Sequence, residues 1–546
     1  QFLEPFYNKR TDEYGGTLKN RARMWLETLE MVREAVGDSC AISCRFGIDT
    51  LRGDLGIKAE EDGIGFVQLA DHLVDLWDFT IGNLEWGEDA GPSRFFKENF
   101  QRPLVEIVKP YATKPVVGVG RFTSPDVMVD AIKRGQLDMI GAARPSIADP
   151  FLPKKIEEGR NDDIRECIGC NICVSRWAIG AARIACTQNA TAGEEYRRGW
   201  HPERFSRAAN AESDVLVVGA GPAGMECATV LAKRGFGSVH LVDAAGELGG
   251  SLRWIPRLPG FGEWGRVVDY RRVQLDKLKN VEINLKATLD AKIVREYGAD
   301  FVVVATGSRW AEKGINGATH EPIPGADASL PYCLTPEQIM VEGKRPVGQR
   351  VLVYDCDGYY MGGALAEKLA RDGYVVTLVT PFSQISPFTE YTLELPRIKR
   401  TLLGLDVDVV TEHSLDFIEP GVAKGAHIYD PRKISAWEID SVVLVTCRNS
   451  NETLFRELEA DPDALAREGI KGVYRIGDCV SPRLIADAIF EGHRLAREID
   501  SIDPAVPLPY IREYRVLGQS DVEFDAVLDS KRAEPRSSRS RFSISN

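Results

Sequence analysis

Apolar positions recur at helical spacing over residues 17–36, where Leu18, Ala22, Trp25, Leu26, Leu29 and Val32 line one face. A short apolar run at 40–46 then predicts a buried strand. From there the pattern alternates: helix 63–76, strand 77–81, helix 104–111, strand 115–120, helix 124–134, strand 137–142, helix 150–158. Strands alternating with amphipathic helices at this pace describe parallel β/α units. Four strands are half of what a closed (β/α)8 barrel needs. The expectation is an open sheet or the C-terminal half of a barrel over residues 1–157.

The alternation stops at 158–211, a polar stretch that carries cysteines and loop signals. It resumes with strand 215–218, a helix and strand 239–242, then strand 350–354, helix 362–371 and strand 375–379, and finally strand 473–476 and helix 485–499. The βαβ units that start near 214 and 349 are weak copies of each other. This predicts an α/β chain with two Rossmann-like nucleotide-binding domains, the first over 212–342 plus 437–510 and the second over 343–436. Residues 511–546 form a tail, which from Lys531 is rich in Ser and Arg and reads as disordered.

Composition narrows the picture. At 546 residues and 44% hydrophobic, the chain is long enough for several cores. With 68 basic against 81 acidic residues the charge is −13, which argues against nucleic-acid or anionic-membrane partners. There is no run of about 18 apolar residues, so no membrane span is expected. No signal peptide is visible, but the chain begins at Gln1 without Met, inside what reads as a domain. A soluble, cytoplasmic, reduced protein is the expectation.

Four of the eleven cysteines fall within one short stretch, Cys167-x2-Cys170-x2-Cys173-x12-Cys186. Three thiolates at steps of three wrap one face of a cubane and a distant fourth closes it, the spacing of a [4Fe–4S] cluster. Zinc would favour two separated C-x2-C knuckles. Four unrelated buried cysteines is the bland alternative, and the scatter of the other seven argues against it.

A second signal is Gly219-Ala-Gly221-Pro-Ala-Gly224, which follows an apolar strand and opens a helix, with Asp243 ending the next strand. Such glycines let backbone approach a pyrophosphate on the helix N-terminus, and the acid hydrogen-bonds a ribose. Gly477-Asp478 and Ala305-Thr306-Gly307 resemble the motifs that frame FAD in disulfide-reductase-like flavoproteins. The second βαβ unit lacks the fingerprint: after strand 351–354 it reads Asp355-Cys-Asp357-Gly-Tyr-Tyr360. With side chains at the glycine positions, two of them anionic, a pyrophosphate meets bulk and like charge. The competing reading is that the glycine turn lies elsewhere.

Strand ends supply the other candidates. Gly120-Arg121 and Ala143-Arg144 follow consecutive strands, where a β/α barrel holds phosphate, and suit FMN. Arg45 is expected to end an earlier strand, facing the flavin edge where reduction develops negative charge. Surface ion pairs are the ordinary alternative for each arginine. Trp86 and Asp89 lie on a loop after a strand, and Trp177 just beyond the cysteines. Indole faces attract alkylated ammonium groups, although a tryptophan is by default core.

These residues together resemble the trimethylamine/dimethylamine dehydrogenase branch of the old yellow enzyme family, over about residues 1–515. The segments that carry the likeness are 2–16, Trp86–Arg94, Ala143–Pro153 and Cys167–Arg198. The resemblance implies FMN in an N-terminal barrel, one [4Fe–4S] cluster, and ADP where other relatives hold FAD. It implies Asp89 as the catalytic Asp and Trp86 and Trp177 as walls of an aromatic bowl. The implied reaction takes hydride from a methylated amine to flavin and hydrolyses the iminium to a smaller amine and formaldehyde. Electrons then leave singly through the cluster to an electron-transferring flavoprotein, and the enzyme is a homodimer. Barrel strands one to four have no counterpart here, so the chain reads as truncated and, alone, as a poor amine dehydrogenase. The rivals are an NADPH-dependent 2,4-dienoyl-CoA or enoate reductase, a histamine dehydrogenase-like enzyme, and an inactive electron-transfer or nucleotide-binding module.

Overall fold

The structure is a computed structural model that describes residues 2–83, 87–89, 91–178 and 183–510. The chain divides into two compact units, residues 1–171 and 172–546.

In the first unit, helix Leu18–Val36 starts where the Thr17 side chain accepts the Asn20 N–H, and it stops at Gly37, whose φ is +54°. Strands Ser43–Asp49, Leu76–Ile81, Val116–Gly118 and Met139–Ile140 pair in parallel, in chain order. These are the four strands expected. The first begins three residues late because the Ile42 N–H is taken by the Asp75 carboxylate at 2.8 Å. It also continues past Gly47, since Ile48 is fully buried. Alternation gives the sheet two faces. Cys44, Phe46, Ile48, Trp77, Phe79, Ile81 and Val116 pack with Ala22, Phe66, Val67, Val105 and Met128 into one core. On the other face Arg45, Asp78, Val117 and Met139 form one register row. A helix not anticipated from sequence, Ala143–Ala148, follows the last strand directly.

The second unit contains two parallel five-stranded sheets. The first is ordered Gly472–Arg475, Phe301–Val304, Asp214–Val218, Ser238–Asp243 and Val281–Leu285. Helix Pro222–Lys233 packs on helix Ile485–Glu498 so tightly that a Cβ on Gly492 would lie 2.2 Å from the Ala223 carbonyl oxygen. The second sheet is ordered Cys333–Leu334, Ser441–Val445, Arg350–Asp355, Val375–Val379 and Asp408–Val410. An antiparallel sheet of His413–Glu419, Val422–His427 and Asp430–Glu438 follows it, and the sequence pattern did not reveal this element. Among the described residues no helix is long and apolar enough to cross a membrane.

Candidate functional site

The ends of the parallel strands in the first unit gather several of the expected residues. Strand Leu76–Ile81 ends at Gly82, whose φ is +101°. A Cβ there would lie 2.0 Å from Asp89 Oδ2, so only glycine leaves room for that carboxylate. Asp89 also accepts the Asn83 N–H at 3.2 Å, which seats it at the strand end. Trp86 lies outside the described residues. Gly120 and Arg121 follow strand Val116–Gly118, and Ala143 and Arg144 open helix Ala143–Ala148. Arg121 is buried at φ +60° and donates through Nη1 to the Phe96 carbonyl. Arg144 Nη1 donates to the Pro92 carbonyl at 2.7 Å and to Asn171 Oδ1 at 2.5 Å.

Arg45 requires a correction. It sits in the middle of strand Ser43–Asp49, not at its end, because the strand runs on through Ile48. Its side chain is 66% exposed on the face opposite the core and stands 3.6 Å from Asp78. Burial raises the pKa of Asp78, and Arg45 counters the rise.

Cys44, Cys227, Cys333 and Cys479 are buried, whereas Cys167, Cys170, Cys173 and Cys186 are all partly accessible. Cys167 and Cys170 belong to the first unit, Cys173 and Cys186 to the second. In the first unit the segment is pinned from several sides. The Arg165 N–H reaches Asp149 Oδ2 at 2.9 Å, and Asp149 pairs with buried Lys155 at 2.7 Å. Ile168 is buried, and Arg121 lies flat on Gly169, where a Cβ would be 2.7 Å from Nε. Among the described residues no three His, Cys, Asp or Glu side chains converge to chelate a single metal ion. Trp177, in helix Ile172–Ala178, is 60% exposed and so is not a core residue.

In the first nucleotide fold two of the three glycines sit where backbone segments approach closely. A Cβ on Gly219, at φ +109°, would lie 2.3 Å from the Ala305 carbonyl oxygen, and one on Gly224 would lie 1.9 Å from that of Gly219. Gly221 has open space, the nearest atom being Gly250 Cα at 3.8 Å. Asp243 ends its strand and accepts the Ala220 and Ala245 N–H groups. Gly477, at φ +68°, donates its N–H to Glu491. Asp478 is already engaged: Oδ2 accepts from Ser308 at 2.9 Å and Arg448 at 2.8 Å, and Oδ1 accepts the Arg483 N–H at 3.0 Å.

The second nucleotide fold differs from the first in a way the sequence reading only partly anticipated. Three residues join strand to helix in the first fold, and five, Cys356 to Tyr360, join Arg350–Asp355 to helix Met361–Arg371. The turn is longer, so the glycines fall later: Gly358 at φ +65°, then Gly362 and Gly363 in the helix. A carboxylate nevertheless occupies the helix start. Asp355 is fully buried and accepts the Asp357 and Gly358 N–H groups at 3.0 and 3.1 Å. A Cβ on Gly362 would lie 2.3 Å from its carboxyl carbon. Tyr360 packs edge-on against Phe261 and Trp264, with centroids 5.3 and 6.1 Å apart.

Burial, reinforced by Asp357, pushes the Asp355 carboxyl up to about 7. A folded pKa above that of the unfolded chain means that the folded state binds the extra proton between about pH 4 and 7, so this group's contribution falls as pH rises through that window. Asp355→Asn keeps the two backbone acceptor contacts and carries no charge. Thermal unfolding should show the variant more stable than wild type at pH 8, on the order of 2 kcal/mol, with the advantage gone at pH 5.

With this geometry in hand, comparison with known proteins is informative. Residues 1–163 match the NADH:flavin oxidoreductase / NADH oxidase family, residues 217–271 an NAD(P)-binding Rossmann-like domain, and residues 334–446 an OYE-like second alpha/beta domain. Dimethylamine dehydrogenase from Hyphomicrobium sp. (strain x) is 50% identical over 541 residues, covering 95% of this chain and 73% of that protein. The chain belongs to the NADH:flavin oxidoreductase / NADH oxidase family, in the branch of the amine dehydrogenases. Two solved members of this family are also close. Histamine dehydrogenase from Rhizobium sp. 4-9 superposes with a TM-score of 0.89 at 45% identity, covering 95% of this chain and 74% of its own. The 6-hydroxypseudooxynicotine amine oxidase from Pseudomonas geniculata N1 gives 0.85 at 46%, covering 91% and 72%.

Sequence reasoning missed Gly82, Asn171 and the arginines on Asp478. Gly82 was legible as a glycine directly after a strand, and Asn171 as a polar residue inside the cysteine motif. Arg448 and Arg483 carried no local signal.

Proposed function

We propose that this protein is an FMN-dependent dehydrogenase that removes a methyl group from dimethylamine or trimethylamine, giving a smaller amine and formaldehyde. The observation that carries the reading is the 50% identity with dimethylamine dehydrogenase, which extends across both units. FMN supplies an acceptor that takes two electrons together and releases them one at a time. Gly120, Arg121, Ala143 and Arg144 would hold its phosphate, and Arg45 would offer a positive charge to its ring. Trp86 and Trp177 would recognise the alkylated ammonium group through their indole faces, with Asp89 as the acid that acts on the amine.

Cys167, Cys170, Cys173 and Cys186 would hold a [4Fe–4S] cluster, which would supply one-electron transfer to an electron-transferring flavoprotein. Support comes from the spacing of the motif and from the shared accessibility of its four thiols. Gly219, Gly221, Gly224 and Asp243 bind the diphosphate and ribose of ADP. ADP rather than FAD is what the resemblance to the amine dehydrogenase branch implies. NAD(P)H has no place in the second fold, where Asp355 and Tyr360 occupy the helix start. That argues against an enoate reductase. The enzyme works as a homodimer in the cytoplasm.

Steady-state dye reduction with dimethylamine, trimethylamine and histamine tests the substrate class, and denaturing release of the bound nucleotide tests the first fold. In a form that carries the whole barrel the methylated amines should reduce the dye, and ADP should be released. Turnover with histamine alone, a second reading that the 0.89 TM-score keeps in view, or release of FAD would overturn it.

A further inference from the structure

Within the first unit, one residue of the cysteine motif reaches back to the loop that bears Asp89. Asn171 directly follows Cys170, is 1% exposed and has a φ of +54°. That backbone region favours glycine, and asparagine is among the few other residues it accommodates. The side chain is what distinguishes Asn171 from glycine here. Its Nδ2 donates to the Gly91 carbonyl at 2.6 Å, two residues beyond Asp89, and its Oδ1 accepts from Arg144 Nη1 at 2.5 Å. The same Arg144 nitrogen donates to the Pro92 carbonyl at 2.7 Å. One carboxamide and one guanidinium therefore bracket two consecutive carbonyls of the loop.

Arg121, from the preceding strand end, repeats the arrangement. It donates to the Phe96 carbonyl of the same loop and lies flat on Gly169 of the same cysteine segment. Arginines at the ends of two neighbouring strands thus each touch both residues 91–96 and the segment 167–171.

We propose that Asn171, through Gly91 and Arg144, is a positioning residue that locks the Asp89 loop to the cysteine segment, so that a change of charge at the thiolates is felt at the loop. The inference rests on the reading that Asp89 and the four cysteines serve one reaction. Two hydrogen bonds to a buried, nearly desolvated side chain resist local opening of the loop. Coupling of this kind is reciprocal.

Hydrogen exchange on the full chain tests it, with the iron centre oxidised and then reduced by dithionite, in wild type, Asn171→Gly and Asn171→Asp. Glycine takes φ +54° without strain and removes both side-chain bonds. Aspartate keeps the acceptor for Arg144 but offers the Gly91 carbonyl no proton. Exchange across 87–96 should speed up by about tenfold in the glycine variant and by less in the aspartate variant, while 102–118 stays as in wild type. Reduction should alter exchange across 87–96 in wild type and not in the glycine variant. Unchanged loop exchange in both variants, or acceleration spread evenly over the first unit, would overturn the proposal. Wild-type protein free of iron would instead strike the cluster assignment, because the comparison of loop exchange in the unreduced proteins stands without it.

Discussion

Asp89→Asn should lower amine-dependent kcat/KM by about 10²-fold, the usual cost of removing one preorganised electrostatic contact from an active site. The substitution keeps the shape of the side chain and an acceptor for the Asn83 N–H, so it removes charge and little else. A second variant makes the expectation hard to evade. Gly82→Ala introduces a Cβ where Asp89 Oδ2 now lies, 2.0 Å away, at a φ of +101°. The new methyl must displace the carboxylate, so this variant should reproduce the Asp89→Asn loss although alanine brings no chemistry of its own. Stopped-flow measurement of flavin bleaching by dimethylamine checks both. Wild-type rates in Asp89→Asn would remove Asp89 from the mechanism. A defect in Asp89→Asn but not in Gly82→Ala would mean that the carboxylate acts from another position.

The second large effect concerns the exit of electrons. Cys170→Ser replaces a thiolate ligand with a hydroxyl that stays protonated at neutral pH, and the cluster should be lost. Iron content should fall to background, and reduction of an electron-transferring flavoprotein should fall with it. The half-reaction with amine should persist, because bleaching of the flavin requires only a filled amine pocket. Cys447→Ser serves as the control, since Cys447 lies outside the motif on the short strand connection before Arg448–Ser450. Its iron content and turnover should match wild type. Iron retained in Cys170→Ser, or lost in Cys447→Ser, would contradict the ligand assignment.

Much of the fold was legible because it rests on period alone. The four strands of the first unit and the core strands of both nucleotide folds are apolar runs bounded by turn residues, and a run of that kind has few alternatives. The boundaries were less legible where side chains from elsewhere decide them. Asp75 delays the first strand by capping Ile42, and burial of Ile48 extends it beyond Gly47, which moved Arg45 from a strand end to a strand middle. The antiparallel sheet at 413–438 is largely exposed along its last strand, so its alternation is masked by polar positions.

At the candidate site the sequence marks candidates by local signatures but says nothing of their partners. Asp89, the strand-end arginines, the glycines and the cysteines all carry local signatures. That Asp478 would be held by Arg448 and Ser308, or that Arg144 and Arg121 would reach the Asp89 loop, depends on contacts between segments far apart in sequence. The second nucleotide fold shows both sides of this. The sequence exposed a pair of acids where glycines belong, but the two extra residues in the turn emerged only from the observed span of strand and helix.

The proposed reaction takes its electrons from an amine and not from a reduced pyridine nucleotide. Anaerobic mixing of the oxidised flavoprotein with dimethylamine, and separately with NADPH, tests it most directly. Bleaching of the flavin by the amine, followed by the signal of a reduced iron–sulfur centre, with no bleaching by NADPH, is the result expected. Rapid bleaching by NADPH in the absence of amine would contradict it.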